Sequence, residues 1–84
     1  MKIKKNSIIT MADNNKYLIL TGENLEDITF CLISTLKPPI EMKVAELVNN
    51  QGNTFLIQYK GEDYKYILKR LLNKVAKEQK FKDD

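Results

Sequence analysis

Between residues 64 and 75, Tyr64, Ile67, Leu68, Leu71, Leu72 and Val75 recur at the i, i+3, i+4, i+7 spacing of one helical face. A stripe that wide has to be buried, so whatever precedes it in the chain must supply a complementary apolar surface. On the opposite side of the same segment the sequence places Lys65, Lys69, Arg70, Lys74, Lys77 and Lys80.

The preceding residues read as short β-segments. Ser7 to Met11 and Lys16 to Thr21 flank Ala12-Asp13-Asn14-Asn15, whose Asp and Asn tolerate left-handed backbone and cap their own turns, so the pair is a hairpin. Gly22 to Asp27 is a polar connection. Ile28 to Thr35 alternates Ile28, Phe30 and Leu32 with Thr29, Cys31 and Ile33. Apolar residues on both faces identify a central strand, and Lys37-Pro38-Pro39 ends it, because proline lacks the ladder donor.

Residues 40 to 48 admit two readings. Ile40, Val44, Leu47 and Val48 fit helical spacing after Pro39. Alternatively, Val44 to Val48, a loop at Asn49-Asn50-Gln51-Gly52 and Asn53 to Tyr59 form a hairpin, which is the favoured reading. Gly61 then stands as helix N-cap, with Glu62 and Asp63 on the positive end of the dipole.

The expected fold is α+β: an antiparallel meander of about five short strands with one C-terminal amphipathic helix packed on a sheet face. In this single domain, residues 1–6 form a basic arm, 7–59 the meander, 62–80 the helix and 81–84 a frayed tail. A core alone gives a chain of 84 residues only about 3 to 5 kcal/mol, so dimerisation is an open expectation.

Hydrophobic residues at 43% and charged residues at 30% place the chain among globular rather than disordered proteins. Cys31 is the only cysteine and cannot form an internal disulfide, which fits a reducing cytoplasm. The lysines after Met1 lead into no apolar run long enough for a signal peptide, and no stretch approaches the roughly 18 apolar residues of a membrane span. A soluble, cytoplasmic protein is expected.

Net charge is +3, divided as +3 over residues 1–5, −3 over 6–59 and +3 over 60–84. A nucleic-acid mimic would need a dominant negative field, and a DNA binder is usually more basic. The cations Lys65, Lys69, Arg70, Lys74 and Lys77, with Tyr66 among them, are nonetheless a candidate nucleic-acid contact, because such sites combine cations for phosphates with aromatics for stacking. The solvated face that any packed helix needs accounts for them more simply.

No chemistry-bearing constellation emerges elsewhere. Glu23, Glu26 and Asp27 lack the spacing of a calcium loop, and without histidine no transition-metal site is expected. Cys31 has no histidine to activate it and reads as a small core hydrophobe. Gly22, Gly52 and Gly61 are too scattered for a phosphate loop. The expectation is a non-enzyme with no catalytic residues, no cofactor and no metal. A recognition surface remains at the sheet edge, where Ser7 to Met11 could pair with a protein partner or a second copy.

Ser7 to Met11, Lys16 to Leu20, Thr29-Phe30-Cys31 and the junction Tyr59-Lys60-Gly61-Glu62-Asp63-Tyr64 occur in an order that resembles small uncharacterised domains of low-GC Gram-positive bacteria and their mobile elements. Those domains place several short strands before one C-terminal helix. The resemblance implies the same fold and a bacterial cytoplasmic setting, and brings no catalytic residues with it. The function expected is an accessory or regulatory binding module acting through protein contacts, with weak sequence-independent nucleic-acid binding by the helix as the alternative.

Overall fold

Ile28–Thr35, apolar on both faces, is the middle strand of a five-stranded sheet in the computed structural model, which describes residues 5–11 and 13–80. The elements are β1 (Ile8–Thr10), β2 (Lys16–Leu25), β3 (Ile28–Thr35), β4 (Met42–Asn50), β5 (Asn53–Gln58) and the helix α1 (Tyr64–Lys80). Neighbouring strands pair antiparallel in chain order, so the fold is the expected α+β meander with a C-terminal helix. Residues 1–4 of the basic arm and the tail at 81–84 lie outside the described residues. The end of the arm is part of the fold: the Asn6 N–H donates to the Ile19 carbonyl at 2.7 Å, and Lys5 forms an ion pair with Glu78 of α1.

β1 is shorter than the Ser7 to Met11 expected and β5 ends one residue early, at Gln58, and three larger differences from the sequence reading stand beside them. Gly22 to Asp27 is not a polar connection: β2 continues to Leu25 and turns into β3 through Glu26 and Asp27, both at positive φ (50° and 69°). A two-residue turn of this hand matches the twist of a hairpin but usually carries Asn-Gly, so Glu-Asp gave no signal. Residues 42–50 are strand throughout, and the next turn is only Gln51-Gly52, again with both φ positive. The helix begins at Tyr64 rather than at 62; the first α-type bond runs from the Ile67 N–H to the Asp63 carbonyl, so Asp63 takes the cap position instead of Gly61. Gly61 serves a steric need, because a Cβ there would lie 2.2 Å from the hydroxyl and 2.4 Å from Cζ of Tyr59. The Tyr59 ring packs edge-on against Phe30, with centroids 5.1 Å apart.

The sheet has two apolar faces. One holds Phe30, Leu32 and Val44, covered by Ile67 and Leu71 of α1, with Leu20, Leu25, Tyr59, Tyr64, Leu68 and Val75 packed around them. Five of the six stripe residues therefore pack as expected, while Leu72 is 40% exposed. The other face holds Met11, Tyr17, Ile19, Cys31, Ile33, Ala45 and Leu56, none more than 6% exposed although α1 lies on the opposite side. Curvature buries it: the sheet curls until Met11 beside one edge and Leu56 on the other join one cluster.

A bulge in β2 contributes to that curvature. Ile19 pairs with Ile33 and Thr21 with Leu32, so Leu20 is an extra residue without a partner on β3. Bulges bend the strand and increase its twist. Here the bulge also moves β2 by one step, so that Tyr17 and Ile19 point to the curled face whereas Thr21, Glu23 and Leu25 share the row pattern of Phe30 and Leu32 on the helix side. Among the described residues, no helix is long and apolar enough to cross a membrane.

Candidate functional site

The basic residues of α1 do not form one surface. The Arg70 guanidinium Nε donates to Glu23 Oε1 at 2.8 Å, and Lys74 Nζ donates to the Gly22 carbonyl at 2.5 Å. Glu23 beside it raises the Arg70 pKa still further. Both side chains thus tether the helix to β2, the segment whose strand character the sequence concealed. Lys65, Tyr66, Lys69 and Lys77 are exposed to solvent, Tyr66 at 61%. The six candidate nucleic-acid residues split into two tethers and four solvent-facing groups.

Cys31 is fully buried on the curled face, and burial pushes its thiol up to about 11. At neutral pH it is protonated, the opposite of what a nucleophile needs. It packs as part of the core, flanked by Gly22 and Ala45 in the register.

The two sheet edges differ. β1 is the edge expected from the sequence, but it spans only three residues. β5 spans six, Asn53–Gln58, with no charge, proline or glycine in Asn-Thr-Phe-Leu-Ile-Gln. Among the described residues α1 packs on β2, β3 and β4 and leaves β5 uncovered. The Tyr59 N–H bonds to the Val44 carbonyl at 2.9 Å, which marks 44/59 as a mutually bonded position. Bonded and non-bonded positions alternate along an antiparallel ladder. The backbone groups of Thr54, Leu56 and Gln58 therefore point outward, away from β4. Phe55 on the same strand is 42% exposed.

A cavity of about 370 Å³ opens at one end of the curled face. Met11 and Ile33 supply its apolar floor, and Tyr17, Lys43, Gln58 and Lys60 its polar wall. Asp13 is also present, but its carboxylate is already engaged: it accepts the Asn15 N–H at 2.9 Å and the Tyr17 hydroxyl at 3.0 Å. Those bonds, the Asn15 N–H first, hold Asp13 below the usual carboxylate range. Lys43 Nζ lies 3.5 Å from the Tyr17 hydroxyl and 5.5 Å from the ring centroid. Tyr17 and Lys43 also border a second depression, of about 550 Å³, on the side of the loop between β3 and β4.

The sequence does not mark this cavity as a unit. Its polar residues come from three separate stretches of the chain, 13–17, 43 and 58–60, and only the strand pairing brings them together. The one available signal was Lys43, a charge at a position whose neighbour two residues on, Ala45, is fully buried. Among the described residues no group of three or more His, Cys, Asp or Glu is placed to hold a metal ion. The chain matches no protein-family model, no curated protein and no solved structure.

Proposed function

We propose that the chain is a non-catalytic, protein-binding module that acts by strand addition at the outer edge of β5. The observation that carries this reading is the bare edge itself. Exposed edges are ordinarily blunted by lysine, proline, a bulge or extreme shortness, because unpaired N–H and C=O groups recruit other chains. β1 is short, whereas β5 has none of these devices over six residues. An added strand would bond to Thr54, Leu56 and Gln58 and pack a side chain against Phe55, a recognition mode in which main-chain bonds give affinity and alternate side chains give specificity.

Thr54→Pro tests it, since the Thr54 N–H points away from β4 and its loss leaves the internal ladder intact. The wild-type chain is expected either to self-associate with rising concentration in sedimentation experiments or to retain a stoichiometric protein from nuclease-treated lysate, and T54P to do neither. A wild-type chain that stays monomeric and captures the same material as T54P would overturn the reading.

A further inference from the structure

The cavity at the mouth of the curled face points to a ligand of a particular charge. β4 and β5 pair Ala45 with Gln58, and the Tyr59 N–H bond to the Val44 carbonyl carries the pairing one residue further, which brings Lys43 and Lys60, just past that last bond, to the same end of the sheet. Both line the cavity with Gln58. Like charges on the wall of one cavity repel, and among the described residues neither lysine has a carboxylate within ion-pair distance. Asp13, bonded through both oxygens to the hairpin that carries it, forms no ion pair with Lys43 but lies close enough to feel its charge. Counting Asp13 against Lys43 and Lys60, the wall has one positive charge in excess over an apolar floor.

We infer that this cavity is a binding site for a single carboxylate carried on an apolar, ring-sized body. The carboxylate would sit between Lys43 and Lys60, where it offsets their repulsion, and the body would lie across the mouth over Met11 and the aliphatic stems of the two lysines. Charge-assisted hydrogen bonds from ammonium to carboxylate are about twice as strong as neutral ones. The Tyr17 hydroxyl and ring hold Lys43 in place on one side, and the Gln58 amide adds a neutral donor. At about 370 Å³ the space lies at the lower end of the range for small-molecule pockets. It exceeds the roughly 150 Å³ cavity that admits benzene. The inference does not depend on strand addition: it concerns the inside of the curl, not the outer edge of β5.

The test is an amide NMR titration of the full chain with 1-naphthaleneacetate, its neutral amide and acetate. The naphthyl carboxylate should shift Ile33, Lys43, Gln58 and Lys60 in a saturable manner, with acetate and the neutral amide each at least about tenfold weaker. Lys60→Gln, at an exposed position beyond the end of β5, should weaken binding about tenfold without lowering the melting temperature; Lys43→Gln should do the same if it folds. Equal binding of acid and amide, shifts centred on α1, or no saturable shift at millimolar concentration would each overturn the proposal. T54P should bind the acid as wild type does, so the two proposals fail separately.

Discussion

The two faces of the sheet bury similar sets of residues by different means. On the helix side Phe30, Leu32 and Val44 are covered by a separate element held by side-chain tethers, Arg70 to Glu23, Lys74 to the Gly22 carbonyl and Lys5 to Glu78. On the other side Cys31, Ile33 and Ala45 are covered by the sheet's own ends, drawn together by curvature. β3 belongs to both, alternating its side chains between them. A covered face depends on an element that could be removed; a curled face depends on backbone shape, and where the curl stays open it leaves a cavity.

The comparison is tested most severely by removing the cover. A chain ending at Gly61 loses Ile67 and Leu71 and exposes Phe30, Leu32 and Val44, a gross loss of about 1.5 to 3 kcal/mol for each buried apolar side chain. That exceeds the stability expected for a domain this small, so the truncated chain should show no cooperative melt by circular dichroism. A cooperative transition would mean that the curled face is a sufficient core by itself.

Point substitutions ask whether the faces are independent. Leu71→Ala, at a fully buried helix position, should cost about 2 to 5 kcal/mol, and Ile33→Val on the curled face about 0.5 to 1.5. The two residues belong to different clusters, so urea melts of the double variant should give the sum within about 0.5 kcal/mol. A larger departure would show that β3 transmits strain from one face to the other.

The bulge offers a finer test. Leu20→Ala removes only a partly buried side chain and should cost about 1 to 2 kcal/mol. Deleting Leu20 removes the same side chain and also lets Ile19 and Thr21 become consecutive pairs opposite Ile33 and Leu32, giving a regular strand without the bend. Every other side chain keeps its face. The excess cost of the deletion over the alanine variant measures what curvature contributes, and it should appear as faster amide exchange at Cys31 and Ile33. Equal stabilities for the two variants would show that the curl does not need the bulge.

The helix-covered face was the legible one. Its cover announces itself as a period of 3.6 over residues 64 to 75, and Ile28 to Thr35 declares a strand with two apolar sides. The Asp-Asn-Asn turn was also readable, and Asn14 does take the left-handed backbone, at φ 67°. What stayed hidden depends on register. A bulge carries no compositional mark, and Glu26-Asp27 makes a tight turn without the usual glycine. Glu23 and Gly22 look like loop residues until Arg70 and Lys74 are seen to reach them. The cavity was hidden for the same reason, because Lys43 and Lys60 come to one cavity only once β4 and β5 are aligned. Residues whose role is local were readable, and residues whose role is a pairing across the sheet were not.

The smallest expected effect separates the two modes of attachment electrostatically. Glu78 anchors the helix and is held below its ordinary value of 4.5, first by Lys5; Asp13 anchors the hairpin at the curled face and is held below 3.8, first by the Asn15 N–H. A carboxylate with a depressed folded pKa contributes stability that is present above the unfolded value and is lost as pH falls through the folded one. Both contributions should therefore disappear on acidification below about pH 4. They should differ in salt. At 1 M the Debye length is about 3 Å, which screens an exposed ion pair far more than a short bond from a fixed backbone N–H. Urea melts between pH 2 and 7 should show the wild-type advantage over Glu78→Gln shrinking in 1 M salt, while the advantage over Asp13→Asn persists. Equal salt sensitivity would mean that the hairpin, like the helix, is held by charge, and the contrast between a tethered cover and a self-supporting curl would fail at its weakest contact.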